Sequence, residues 1–177
     1  MKISVVVPTK NNCEQLIECL KSLKEQAVKI HEIIIVAPKN DKSMQSAREF
    51  GCKWIEDKLN TIGNAYNIGA ENSSGDVVVF IDDDCFAPED WLGSLLNEFK
   101  NQDLDVVGGD DIINTEKSTK FQNALYLLDL YRTPQASLYG MDACKRLRAC
   151  NIAFKKNIFE KHQFNKNLTG LQEPEFL

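Results

Sequence analysis

The segment DVVVFIDDDC, residues 76–85, places an apolar, mostly β-branched run directly before three consecutive aspartates. Such a run is typical of a strand that is buried on both faces, as in a parallel sheet. Like charges this close together repel each other, so Asp82, Asp83 and Asp84 require a positive partner. The segment therefore predicts a buried strand that ends at a charged site.

Two further apolar runs, ISVVVP (3–8) and EIIIVA (32–37), predict two more buried strands, and CKWIE (52–56) predicts a short third strand between them and the acidic segment. Leucines at helical spacing follow the first run, where Asn12 stands at a capping position with Gln15 three residues later. A second short helix is predicted at 42–50. Strands that alternate with helices in this way predict an α/β fold, with a mainly parallel sheet flanked by helices on both faces.

Composition excludes several classes of function. The chain has 177 residues, which suits a single domain, and its net charge of −5 without a basic run argues against nucleic acid as the main partner. None of the six cysteines forms a C-x-x-C pair, which argues against a zinc site. The sequence shows neither a signal peptide nor a bilayer-spanning apolar run, so we expect a cytoplasmic protein, with peripheral contact at the inner face of the membrane left open.

Ligands of open parallel α/β sheets bind beyond the carboxyl ends of the strands. This rule brings Pro8–Thr9, Ala37–Pro38 and Asp82–Asp84 to one edge of the predicted sheet. In an extended segment Asp82 and Asp84 point the same way, while Asp83 turns elsewhere. Clustered carboxylates predict a site for Mg²⁺ or Mn²⁺, ions that typically also hold phosphates. The alternative is an acidic turn that caps the next helix.

Here the residues carry a resemblance. ISVVVPTKNN, EIIIVA and GNAYNIGAENSSGDVVVFIDDDC, in this order, resemble the family 2 glycosyltransferases of GT-A fold, and ACNIAFKKNIFEKHQFNKNL and GLQEPEFL resemble acceptor-side segments of that family. The resemblance implies one catalytic domain over 1–177, with a nucleotide-sugar-binding half (1–110) and an acceptor-side half (111–177). It also implies inverting transfer of a sugar from a nucleoside diphosphate sugar to a glycan or lipid-linked acceptor, with Mn²⁺ or Mg²⁺ as cofactor.

The resemblance assigns roles to individual positions. Donor-binding residues would be Pro8, Thr9, Ala37, Gly63, Asn67, Asp82 and Asp83. Asp82 and Asp84 match the D-x-D positions, of which the last would hold the metal that bridges the diphosphate. Acceptor-side residues would be Asn151, Phe154 and Lys155. Glu173 falls where the family has its catalytic base, and Glu175 is the alternative base.

The sequence also departs from the family. In the family, an acidic stretch that contacts the nucleotide base usually follows the second strand. This chain has APKNDKS there. Either Asn40 or Asp41 substitutes for the acidic residue, or other residues contact the nucleotide base. The stretch QE replaces the usual ED. Family members generally continue beyond the catalytic base. Three interpretations of this chain therefore stay open: a truncated piece, a naturally short member or a weakened enzyme.

Two other functions are compatible with these residues. A catalytically weak nucleotide-sugar-binding module is the first alternative. A sugar nucleotidyltransferase is the second, although it would normally need a glycine-rich loop after the first strand, and PTKNNCEQ contains no glycine.

Overall fold

A computed structural model describes residues 1–101, 104–109, 118–121, 123, 124, 127 and 148–167. The strands are β1 (Ile3–Pro8), β2 (Glu32–Pro38), β3 (Lys53–Asp57), β4 (Val77–Phe80), β5 (Val106–Gly108) and β6 (Ile152–Lys155). The α-helices are α1 (Cys13–Lys24), α2 (Ser43–Glu49), α3 (Ile62–Glu71) and α4 (Trp91–Asn101). Two 3-10 helices, Ala149–Asn151 and Lys156–Glu160, flank β6.

One six-stranded sheet has the order β3-β2-β1-β4-β6-β5. Strands β1 to β4 pair in parallel, whereas β6 runs antiparallel to both β4 and β5. The predicted mainly parallel α/β sheet is therefore confirmed. The antiparallel insertion of β6 between β4 and β5 was not predicted.

The sheet is buried on both sides because its central strands are apolar at nearly every position, with Ser4 of β1 and Glu32 of β2 as exceptions. One face, which includes Val5 and Val7 of β1, packs against α1, α2 and α4. The opposite face, which includes Val6, packs against α3 and the 3-10 segment after β6. Burial of both faces explains why the strands are continuous β-branched runs rather than alternating ones.

Helix α3 is rich in small residues because it lies close to the sheet. A Cβ atom added to Gly69 would stand 2.2 Å from Cγ1 of Val6, so no larger residue fits between α3 and β1. Over the part of the chain that the structure describes, no helix combines the length and the apolar character needed to cross a membrane.

Candidate functional site

The carboxyl ends of the parallel strands surround a cleft of about 640 Å³. Its walls come from the end of β1 and the loop after it (8–12), the end of β2 (36–38) and the loop after β4 (82–84). The end of β3 (57), the turn that follows (60–61) and the first turns of α3 (62 and 65) complete them. A cleft of this volume falls within the usual range for small-molecule sites. It lies at the edge of the sheet where ligands of parallel α/β folds bind.

The three aspartates after β4 have different surroundings. Asp83 accepts hydrogen bonds from the Thr9 hydroxyl and from Nδ2 of Asn12, the latter at 3.0 Å. Burial raises the pKa of the Asp83 carboxyl, and these hydrogen bonds only partly offset the rise. Asp83 thus connects the loop after β4 to the loop after β1. The N–H of Cys85 donates to the carbonyl of Asp82 at 3.1 Å, so residues 82–85 form a turn and not the extended segment assumed for the predicted orientation of the three side chains.

Asp82 and Asp84 have other partners than Asp83. Oδ1 of Asp82 accepts a hydrogen bond from the Tyr66 hydroxyl at 3.3 Å. Asp84 is exposed, and its Oδ1 accepts a weak hydrogen bond from the Cys85 thiol at 3.8 Å. Asp84 is exposed, Asp82 is half-buried, and both line the cleft. Carboxylate oxygens of this kind suit a divalent cation.

Two buried aspartates shape the neighbouring loops. Asp41 accepts from the backbone N–H groups of Asn11 and Ser43, each at 2.8 Å. Burial alone would raise the pKa of Asp41, but these hydrogen bonds outweigh it and lower the pKa. The carboxylate of Asp41 therefore stabilises the loops after β1 and β2 and does not line the cleft. The exposed Asn40 does not line the cleft either.

Asp57, at the end of β3, does line the cleft. Its Oδ1 accepts from the N–H of Leu59 at 3.0 Å and from the Asn64 amide, and its Oδ2 accepts from the N–H of Thr61 at 3.1 Å. These bonds fix the turn between β3 and α3. The role of Asp57 in this turn was not predicted from the sequence, because residues 57–61 look like any polar loop before a helix.

The predicted donor-binding residues divide into two groups. Residues 8, 9, 37, 82 and 83 line the cleft, together with Asp84. Gly63 and Asn67 are instead buried in α3 and do not line it. The Asn67 side chain donates to the carbonyl of Phe164 at 2.8 Å and accepts from its N–H at 2.9 Å, so it fastens the segment after β6 to α3.

The predicted acceptor-side residues are not brought together. Asn151 lies at the cleft end of the sheet, where its Oδ1 accepts from Nε1 of Trp91 at 2.8 Å. Phe154 is buried in an aromatic cluster with Phe80. Lys155 pairs with the first residue of β4, at the far end of that strand, and forms an ion pair of 3.1 Å with Asp105. Both predicted bases, Glu173 and Glu175, lie outside the described residues.

Strand order, the flanking helices and the acidic cleft define a GT-A type α/β protein. The chain belongs to glycosyl transferase family 2, whose family model matches residues 4–162. This membership confirms the resemblance drawn from the sequence.

Individual relatives agree with this assignment. The chain is 29% identical over 170 residues to the glucosyl-dolichyl phosphate glucuronosyltransferase of Haloferax volcanii, covering 90% of this chain and 54% of the relative. This chain spans about half the length, or less, of the curated relatives that it matches.

Solved structures share the fold. S. aureus TarS 1-349 in complex with UDP-GlcNAc superposes with a TM-score of 0.70 at 19% identity, covering 99% of this chain and 52% of the TarS 1-349 chain. Glucosyl-3-phosphoglycerate synthase of Mycobacterium tuberculosis, in complex with Mn²⁺, UDP and glucosyl-3-phosphoglycerate, gives a TM-score of 0.61 at 19% identity, covering 89% of this chain and 57% of the synthase.

Proposed function

We propose that this chain binds a UDP-sugar in the cleft and transfers the sugar, with a divalent metal ion, to an acceptor hydroxyl. The observation that carries the proposal is the cleft itself, in which the ends of β1, β2 and β3 face the exposed carboxylate of Asp84. The solved structures of TarS with UDP-GlcNAc and of the mycobacterial synthase with UDP and Mn²⁺ support uridine as the base and Mn²⁺ as the ion.

The residues present suit a metal ion that arrives with its nucleotide. Within the described segments, no group of three or more His, Cys, Asp or Glu side chains is arranged to hold an ion alone. Magnesium-type sites commonly use one or two carboxylates and complete their coordination with substrate phosphates and water. Asp84 would be the principal ligand, with Asp82 beside it. When bound, the ion supplies positive charge against the leaving diphosphate.

Different residues of the protein would bind the donor and promote the transfer. The nucleotide would contact Pro8, Thr9 and Ala37. The ribose and the sugar would lie next to Asp82. The acceptor oxygen would form a bond to the anomeric carbon as the bond to the diphosphate breaks on the opposite face, so the anomeric centre inverts. Glu173 would take the acceptor's proton, because a hydroxyl is a poor nucleophile without a base.

A thermal-shift panel tests the proposal. The protein is heated with UDP-, GDP-, CMP- and dTDP-sugars, each with and without Mn²⁺. A ligand at about 100 times its Kd stabilises the folded state by about 2.7 kcal/mol, which for a domain of this size corresponds to a rise in Tm of about 5–10 °C. We expect this rise with UDP-sugars and Mn²⁺ together. Absence of any rise across the whole panel would contradict donor binding.

The hydroxyl of Tyr66 gives a more local prediction. Tyr66→Phe removes the hydrogen bond to Asp82 but keeps a ring that packs against Phe80 and Phe164, with centroid distances of 4.9 and 5.1 Å. We expect Mn²⁺-dependent donor affinity to fall about 3- to 10-fold, since one hydrogen bond contributes about 1 kcal/mol. Titration calorimetry measures the affinity, and an unchanged Tm shows that the ring cluster is intact. Unaltered affinity would mean that Tyr66 does not position Asp82.

A further inference from the structure

We call residues 81–90, the loop between β4 and α4, the acidic loop. Helix α1 contacts the first half of this loop at two points. The amide of Asn12, at the start of the helix, donates to Asp83 at 3.0 Å. The thiol of Cys19, in the middle of the helix, lies 3.6 Å from the carbonyl oxygen of Asp82. These contacts fix the part of the loop that directly follows β4.

The second half of the acidic loop is fixed by the other end of α1. Ala87 is buried, and its N–H donates to the hydroxyl of Ser22, in the last turn of the helix, at 3.0 Å. The N–H of Ala27, shortly after the helix, donates to the carbonyl of Glu89 at 3.0 Å. Residues 84–86 therefore lie between two fixed stretches of backbone.

The side chain of Gln26, which also follows α1, makes several of these contacts at once. Its Nε2 lies 3.2 and 2.6 Å from the carbonyl oxygens of Ala87 and Pro88, and 3.3 Å from that of Ser22. Its Oε1 accepts from the N–H of Leu92 at 3.1 Å. A single amide thus joins the end of α1, the acidic loop and the start of α4.

The backbone groups that Gln26 binds lie outside the regular hydrogen bonding of the sheet and the helix. Ala87 and Pro88 belong to neither β4 nor α4. Leu92 is in the first turn of α4, where a helix leaves its N–H groups without a helical partner. A side-chain amide can supply both a donor and an acceptor to such groups. Without this amide, the loop and the start of α4 would lose bonds that join them to α1.

We propose that Gln26 is a positioning residue for the metal site, because it holds the acidic loop so that the carboxylate of Asp84 stays at the cleft. This inference rests on the proposed function, in which Asp84 is the principal metal ligand. Asp84 is exposed and lies three residues before Ala87, so its place is set by the backbone on either side rather than by burial. Residues that orient the ligands of a metal ion typically raise metal affinity by about 10- to 100-fold.

Two substitutions of Gln26 separate its hydrogen bonds from its bulk and charge. Gln26→Met has a side chain of similar length but removes all of the amide's bonds. Gln26→Glu keeps an acceptor for the N–H of Leu92 but cannot donate to the carbonyls of Ala87 and Pro88. The added negative charge would by itself attract a cation. Weaker Mn²⁺ binding by Gln26→Glu therefore cannot come from the change in charge.

Ser4→Ala is the control for a general loss of stability. Ser4 is buried in β1, where its hydroxyl donates to Glu32 at 2.7 Å and accepts from the N–H of Gly75 at 2.9 Å. It lies at the amino end of β1, whereas the cleft is at the carboxyl end. Ser4→Ala thus removes buried hydrogen bonds, as the Gln26 variants do, but leaves the acidic loop untouched.

The experiment measures the Kd of Mn²⁺ in the presence of saturating UDP, from the electron paramagnetic resonance signal of the free ion. We expect both Gln26 variants to bind Mn²⁺ about tenfold more weakly than the wild type. Hydrogen exchange of the peptide that covers the acidic loop should be faster in both variants. Ser4→Ala should keep the wild-type values of both quantities, although its Tm falls.

Retained Mn²⁺ affinity in both Gln26 variants would overturn the inference, as would an equal loss of affinity in Ser4→Ala. If neither Gln26 variant folds, Ser22→Ala decides the question, because it removes the bond from the N–H of Ala87. We expect this variant to lose about threefold in Mn²⁺ affinity, the size of one hydrogen bond, and wild-type affinity would again overturn the inference. A wild type that binds no Mn²⁺ in the presence of UDP would instead contradict the metal-dependent function proposed above, so the two failures are distinguishable.

Discussion

Asp84→Asn should abolish Mn²⁺-dependent donor binding, with a loss of affinity of more than about 100-fold, or about 2.7 kcal/mol. The change removes one negative charge and a metal-ligating oxygen from the cleft. Folding should be preserved, because Asp84 is exposed and the Cys85 thiol, 3.8 Å from its Oδ1, is a weak hydrogen-bond donor. Titration calorimetry with a UDP-sugar, with and without Mn²⁺, measures the loss.

Asp90→Asn is the control for this variant. Asp90 is exposed in the same loop, lies outside the cleft and precedes α4, where asparagine serves as well as aspartate. It removes the same charge from the same loop, so general electrostatic effects are matched. We expect this variant to retain wild-type affinity. Metal-dependent affinity that survives in Asp84→Asn would exclude Asp84 as a ligand.

Glu173→Gln should leave donor affinity nearly intact and reduce sugar transfer by about 10²- to 10⁴-fold, the usual contribution of a general base. Glutamine has the same shape but cannot accept the proton of the acceptor hydroxyl. Donor affinity is measured by titration and transfer by release of the nucleoside diphosphate. Loss of transfer with binding preserved separates a catalytic role from a binding role.

Glu175→Gln is the comparison for the second variant. If Glu175 is the base, the two variants exchange behaviour, and Glu173→Gln retains full transfer. Full transfer in both variants would place the base elsewhere in the protein. Donor binding without any turnover, in the wild type as in both variants, would instead favour a nucleotide-sugar-binding module.

The parallel core of the fold could be predicted because its signals are local. Each central strand is a continuous, mostly β-branched run, and the leucines of α1 repeat at helical spacing. The direction and place of β6 could not be predicted in this way. Residues 152–155 indicate a strand, but their pairing with β4 depends on contacts with residues more than 70 positions earlier in the chain.

The acidic end of the cleft was predictable from the rule that ligands bind beyond the ends of parallel strands. The turn with Asp57 and Asn60 was not, because β3 is short and its polar turn carries no distinctive pattern. Asn12 shows a further limit of local reasoning. It stands at the N-cap of α1 as predicted, yet its side chain makes no capping bond and donates instead to Asp83, 71 residues away. A local sequence pattern identifies a capping position, but it does not reveal a residue far away in the chain that accepts the hydrogen bond of the same amide.

The place of β6 between β4 and β5 has a consequence for how the protein is made. As the nascent chain leaves the ribosome, β5 emerges before β6, the strand with which it pairs in the described part of the chain. Until residues 152–155 follow, the outer edge of β4 also stays unpaired, and open strand edges invite association with other chains. The cleft-forming residues before β5 therefore depend on a later segment to complete their sheet, and a fragment cut near residue 110 would be a poor candidate for independent expression.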